Sequence, residues 1–446
     1  MLRLNKVKAQ RKEKQRMMKR IFFLCTCLLL VFLVKNGLCA GSGAFRLEVP
    51  DAAALGKGSA FVAQADNPSA VYYNPAGLTQ LKSKLDVSFG ATAIQPFITY
   101  EDYSGNETDM RRQVFTVPNG YVVSNFGLEK FAFGVGATSY WGLGTYWAED
   151  SFSRYVATKT DLSTQDTMFT AAYEINSNLS LGVAVDYTRA KVDMRRKLYQ
   201  GLGGDGDFQV EGKEDNAWGY RLSALYKLNE KHSFGFIYRS PVHVKYKGKL
   251  NLNNLNIAAP YSYSAVFGTS YETDVNSNAT LPQSMVLGYC FKPTDKWTFE
   301  FDTEWMDWSS TKETSYDYPS ETNSTRTTYL NSYVNPTFER NWHSVFSYAL
   351  GTEYKFNDKL RLRAGYFHHK TPIAQANFES SLPDAPSNSI TLGAGYSFNK
   401  NVSLDFAYAA MFFDTRKVNN SVGSGGINGK YRTFDNLYAL TLSFKL

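Results

Sequence analysis

Period-two alternation of apolar and polar residues recurs along most of the chain, and no other feature limits its fold as much. At the C-terminus Phe434, Asn436, Tyr438, Leu440, Leu442, Phe444 and Leu446 alternate with Asp435, Leu437, Ala439, Thr441, Ser443 and Lys445. Over 297–306, Trp297, Phe299, Phe301 and Trp305 oppose Thr298, Glu300, Asp302 and Glu304. Successive side chains on a strand point to opposite faces, so each such strand has one greasy and one polar face. The pattern predicts about fourteen strands, near 84–97, 112–124, 130–140, 167–175, 179–189, 216–227, 232–240, 282–291, 297–306, 342–355, 360–368, 389–398, 402–413 and 434–446. Each is close to the roughly ten residues that a tilted strand needs to cross a bilayer.

The connections choose between a soluble sandwich and a membrane barrel. "NFGLE", "NSN", "LNEK", "KPTDK", "FNDK" and "FNKN" are short polar turns, and the connections between them run from about a dozen to forty residues. Strict short–long alternation is the product of a barrel with one turn side and one loop side. Trp297 and Trp305, at the two ends of one apolar stripe, suit its aromatic girdles. The expected fold is all-β: a membrane-spanning antiparallel β-barrel of about fourteen strands over 83–446.

Before the first strand lie two segments of different character. Residues 1–40 read as a cleaved signal peptide, with basic residues ahead of the apolar run "IFFLCTCLLLVFLV". Cleavage is expected after Ala40; acylation of Cys39 fits less well because Leu38 precedes it, and residues 1–16 read equally as an extended leader or a mis-called start. Ten Lys or Arg and one acid give this leader +9, so the chain's net charge of +7 leaves −2 for the remainder. The basic balance therefore argues for no nucleic-acid partner. Three of the four Cys lie in the leader, leaving Cys290 without an intramolecular disulfide partner. Residues 41–82 are rich in small residues, too apolar for a disordered tail and too short for a core of their own. They are expected to fold in the lumen as a plug, shaped by rigid turns at Asn67-Pro68 and Asn74-Pro75.

Several stretches resemble the FadL family of outer-membrane transporters for long-chain fatty acids and other hydrophobic compounds. They are "GKGSAFVAQADNPSAVYYNPAGL", "YWGLGTYW", "YRSPVHVKYKGKL", "LPQSMVLGY", "EFDTEWMDWS", "ALGTEYKFNDKLRLRAGYFHHKTPI" and "LPDAPSNSITLGAGYSF". The resemblance covers essentially all of 41–446 and is most specific in the first stretch. It implies a bacterial outer-membrane barrel of fourteen strands with an N-terminal hatch. Passive uptake of a hydrophobic small molecule is then expected, by a monomer in contact with outer-membrane lipid and with no cofactor. Long-chain fatty acids are the first expectation; aromatic hydrocarbons, a porin-like pore and an adhesive barrel are the alternatives.

The candidate residues each carry two readings. Trp141, Leu143, Tyr146, Trp147, Phe152 and Tyr155, after the third strand, form either an interfacial belt or a surface groove that captures an apolar substrate. Alternation turns Arg239, Arg361 and Arg363 toward the lumen, where they either pair with Glu300, Asp302 and Glu304 or hold a substrate carboxylate. Asn74, Pro75 and Ala76 form a plain turn or, as the resemblance suggests, the hatch contact beside a side exit. Gly134 and Gly136 would permit a kink in the wall there. Enzyme chemistry is not expected. His232, His243, His343, His368 and His369 are scattered, and Ser344 beside His343 would face the other way on a strand.

Overall fold

The computed structural model describes residues 43–47, 50–201, 204–256, 263–421 and 427–446; the leader assigned to 1–40 lies outside them. Fourteen antiparallel strands form a closed barrel. They are β1 (Asp86–Glu101), β2 (Phe115–Ser124), β3 (Phe131–Thr138), β4 (Lys159–Glu174), β5 (Leu179–Tyr199), β6 (Asp205–Lys227) and β7 (His232–Arg239). The second half comprises β8 (Ser284–Phe291), β9 (Trp297–Met306), β10 (Val345–Lys355), β11 (Leu360–His369), β12 (Ser387–Asn399), β13 (Val402–Phe413) and β14 (Gly429–Lys445). Each strand pairs with its neighbours in sequence, and β1 closes the ring on β14 from Asp86↔Lys445 to Glu101↔Lys430. Closure gives every strand two neighbours, so that nearly all backbone groups in lipid are paired.

The turn side is built by one repeated device. Asn176, Asn229, Asn357 and Asn399 each accept, through Oδ1, the backbone N–H groups two and three residues on. An Asx turn of this kind satisfies donors that the reversing chain would otherwise leave open.

Strand faces are reversed relative to a soluble protein. On β8, Met285, Leu287 and Tyr289 are exposed, while Ser284, Val286, Gly288 and Cys290 face the lumen and are buried. The loop side is more ordered than expected. The connection predicted between 190 and 215 is largely strand, because β5 and β6 run on beyond the bilayer. A hairpin of Val242–Asn253 and Tyr271–Leu281 pairs with the extension of β6. In these extensions the phase inverts: Val192, Met194 and Leu198 turn inward and Lys191, Asp193, Arg195 and Lys197 turn outward. Leu198, Phe208, Val210, Leu250, Leu252, Phe267, Leu330 and Val334 then form a separate apolar core above the membrane.

The segment before β1 lies against lumen-facing side chains. It contains two short helices, α1 (Ala52–Leu55) and α2 (Ala70–Tyr73), and a 3₁₀ turn, Pro75–Gln80. Both Asn-Pro steps act as fasteners. Asn67 Nδ2 donates to Asp51 Oδ2 (2.8 Å), the residue that caps α1, and Asn67 Oδ1 accepts from Ser69 N (2.8 Å). Asn74 Oδ1 accepts from Ala76 N (3.1 Å), while its amide donates to Val62 O (2.7 Å) and to Ala224 O on β6 (3.1 Å).

Candidate ligand route

Three features lie along a line from the loops into the wall. The first is a cleft of about 820 Å³ on the loop side. Phe45, Leu143, Leu162, Val192, Met194 and Phe208 give it apolar walls. Arg196 reaches into it from β5, its guanidinium 4.4 Å from the centre of the Phe208 ring. Arg196 donates to the carbonyls of Val334 and Tyr155, and among the described residues no carboxylate stands within ion-pair distance of it. The other two cleft arginines are already paired, Arg195 with Asp193 at 2.9 Å and Arg340 with Glu379 at 2.5 Å.

The second feature is the floor of the cleft. Residues 43–47 form an arm whose backbone pairs with the chain just after β3: Leu47 N donates to Tyr140 O (2.9 Å) and Gly142 N to Phe45 O (2.9 Å). Phe45 is ringed by Trp141, Trp308 and Trp342, with centroid separations of 5.7, 4.9 and 6.0 Å. The arm is tied at its start by Ala44 N, which donates to Asp384 Oδ2 at 2.9 Å. Burial pushes the Asp384 carboxyl up to about 6. Beneath the arm, Arg46 and Arg239 share Glu304, and Arg239 lies over the rings of Tyr72 and Tyr140.

The third feature is a seam in the wall. β2 pairs with β3 only from Ser124↔Phe133 to Gly120↔Ala137. Beyond Thr138 the chain turns into the lumen to meet the arm, and at Gly142–Tyr146 it rejoins the neighbour on the other side, β4. No strand pairing joins Phe115–Asn119 of β2 to residues 139–146 among the described residues. Pro118, with no N–H to donate, sits in this unpaired stretch. The glycines of β3 face the inner segment where the seam begins. A Cβ at Gly134 would lie 2.6 Å from Val71 Cγ2, and one at Gly136 would lie 2.8 Å from Val71 Cγ1.

The structure divides the residues singled out by sequence. Of the six loop residues, Leu143 and Tyr155 line the cleft. Trp141 is buried in its floor. Tyr146 and Phe152 pack with a second cluster, where Phe152 stacks on Tyr100 at 3.6 Å. Trp147 is 1% exposed and donates Nε1–H to Ser380 O (2.9 Å). The expected exposed groove is therefore mostly interior, because the loop folds back over the barrel mouth and buries its aromatic surface.

The lumen arginines also differ from expectation. Arg363 is clasped by Glu353 and Asp405, each at 2.7 Å, and Arg239 by Glu304 at 3.6 Å. Arg361, half-exposed, stands 3.8 Å from Glu353 near the turn side. Glu300 and Asp302 mostly serve the inner segment: Asp302 Oδ2 accepts from Phe61 N and Val62 N, and Glu300 Oε1 from Ala63 N and Gln64 N. Asn74 and Ala76 make their hydrogen bonds to the wall on the opposite side, at β6. Ala76 N donates to Ser223 Oγ on β6 (3.0 Å), and a Cβ at Gly182 on β5 would lie 2.4 Å from Ala76 N. The side chains that pack on Gly134 of β3 are Val71 and Leu78.

Residues 37–446 match the family of outer membrane protein transport proteins described as OMPP1/FadL/TodX. The chain belongs to that family. This FadL-family member is an outer-membrane β-barrel and a transporter of hydrophobic compounds. It is 25% identical to the long-chain fatty acid transport protein of Salmonella typhi, over 85% of this chain and 90% of that one. A FadL homologue of Pseudomonas aeruginosa superposes with a TM-score of 0.77 at 19% identity, covering 90% of this chain and 99% of the other. The toluene transporter TodX of Pseudomonas putida gives 0.69 at 18% identity, covering 91% of this chain and all of its own. Arg196, Phe45, Trp308 and Trp342 were not singled out by sequence. Arg196 alone had a legible signal, since it sits between Met194 and Leu198 on the inward phase of an alternating run.

Proposed function

We propose that this FadL-family barrel takes up long-chain fatty acids passively, as a monomer and without catalysis. The acyl chain enters the outer cleft, passes the Phe45 arm, and leaves sideways through the seam between β2 and β3. Residues 50–81 act as the plug that denies the straight route. The observation that carries the substrate choice is Arg196, a cleft cation stacked on Phe208 with no carboxylate partner among the described residues. A fatty-acid carboxylate would accept from its guanidinium, while burial of the chain supplies about 0.8 kcal/mol per CH₂. An aromatic hydrocarbon has no use for such a cation. A lumen filled from Asp51 to Gln80 argues against an open hydrophilic pore.

The test compares Arg196→Gln with wild type for binding of a C16 fatty acid and of the C16 alcohol. Loss of a charge-assisted hydrogen bond should weaken the acid about tenfold or more and leave the alcohol within about twofold. Equal losses for both ligands would mean that Arg196 only shapes the cleft.

A further inference from the structure

On the outer surface of the loop side, three lysines stand in one row across three adjacent strands. Lys191 on β5 is in direct register with Lys213 on β6, and Lys213 with Lys247 of the Val242–Asn253 strand. All three are exposed. Arg189 and Lys245, also exposed, lie one step nearer the membrane. Lys213 Nζ has Asp215 at 3.1 Å; Lys191, Lys245 and Lys247 have no ion-pair partner among the described residues. Like charges placed directly opposite on neighbouring strands bring their Cβ atoms to about 5 Å and destabilise the sheet. A shared anion removes that repulsion.

The height of the row says where the anion lies. Tyr187 and Trp218 face each other just below it, with ring centroids 4.9 Å apart, and Tyr220 and Tyr238 extend the belt. Beneath these rings Leu181, Val183, Val185 and Leu222 form an exposed apolar stripe. Exposed aromatics at the end of an apolar stripe mark the membrane–water boundary. Four residues separate Tyr187 from Lys191, which is roughly 10 Å of height on a strand tilted by about 40°. At Tyr187 the outward face of β5 also changes from apolar to charged.

We propose that Lys191, Lys213 and Lys247, flanked by Arg189 and Lys245, form a binding site for the phosphate groups of a lipid in the outer leaflet. The acyl chains of that lipid lie on the stripe below the aromatic belt. This face is turned away from the cleft.

The test uses the full barrel in detergent with three probes: a diphosphorylated glucosamine lipid, the same lipid without phosphates, and inorganic phosphate. In the triple variant K191Q/K213Q/K247Q the phosphorylated lipid should bind about 100-fold more weakly, since each lysine near an anionic lipid surface contributes about fivefold. The triple Lys→Arg variant should bind within about threefold of wild type. The lipid without phosphates should bind wild type no better than the phosphorylated lipid binds the Gln variant. Heat-shifted gel mobility shows that each variant is a folded barrel. Unchanged binding by the Gln variant overturns the proposal, and so does equal binding of both lipids. Displacement of the lipid by inorganic phosphate at low millimolar concentration overturns it as well, in favour of a free-anion site.

Discussion

Lys57 Nζ lies 3.0 Å from Glu300 Oε2, and both side chains are sealed from solvent, with exposures of 1% and 0%. The pair joins the inner segment to β9, and the other oxygen of Glu300 holds Ala63 N and Gln64 N of the same segment. Glu300→Gln leaves a buried ammonium without its counter-charge, at a cost of about 3 kcal/mol or more. The inner segment should loosen while the barrel survives. Planar-bilayer recordings should show intermittent openings in Glu300→Gln and steady conductance when residues 43–81 are deleted, both absent in wild type. A silent Glu300→Gln channel would mean that the pair does not hold the segment in place.

Val71 fills the space left by Gly134 on β3, so cysteines at these two positions are placed to form a disulfide. In a Cys290→Ser background, Val71→Cys with Gly134→Cys should cross-link under mild oxidation. Cysteines at Ala76 and Gly134 should not, because Ala76 faces β5 and β6. Locking Val71 to β3 should stop uptake of a labelled fatty acid and leave binding in the outer cleft unchanged. Full uptake by the cross-linked protein removes the seam from the mechanism.

Asp384 gives the arm a pH dependence. Its carboxyl titrates near 6 when folded and near 3.8 when released, because burial disfavours the anion. A raised acid pKa stabilises the folded contact fully below about 3.8 and loses that contribution as pH rises through about 6. The Ala44 N–H bond works against this shift, so it is the cover that the arm gives the carboxyl, rather than that bond, that favours low pH. A spin label at position 43 should be more mobile at pH 7.5 than at pH 5, and Asp384→Asn should remove the dependence. Identical spectra of wild type at both pH values would assign the arm's anchorage to its backbone pairing with Tyr140 and Gly142 instead.

Gly182 tests the close approach of the Ala76 turn to β5. A methyl group there would press on Ala76 N at 2.4 Å, so Gly182→Ala must shift the Asn74–Pro75–Ala76 turn. Overpacking of this kind typically costs about 1–3 kcal/mol. Greater protease cleavage within 60–80, with barrel heat resistance unchanged, is the expected outcome. Wild-type cleavage would mean that the turn has room to move.

The sequence by itself determined the strand number, the two sides and the lipid-facing stripes. The bilayer imposes these locally: a crossing strand needs about ten residues, an apolar outward face and a turn that satisfies its own donors. Met285, Leu287 and Tyr289 on β8, and Asn176, Asn229, Asn357 and Asn399 in the turns, are therefore legible one residue at a time. Beyond the bilayer the solvent changes and the phase inverts, so the extensions of β5 and β6 read as loop although their alternation continues through Val192, Met194 and Leu198. Tertiary structure alone decided the rest. Sequence marks Arg239, Arg363 and Arg196 as three similar cations, but only the folded barrel brings Glu304 to the first, Glu353 and Asp405 to the second, and no described carboxylate to the third. It likewise sets Val71 rather than Ala76 against Gly134, because the inner segment is positioned by contacts with strands hundreds of residues away, such as Phe61 N to Asp302 and Lys57 to Glu300. Alternation specifies which face a side chain occupies; which partner it meets there depends on long-range closure, and that closure gives Arg196 the carbonyls of Val334 and Tyr155 in place of a described carboxylate.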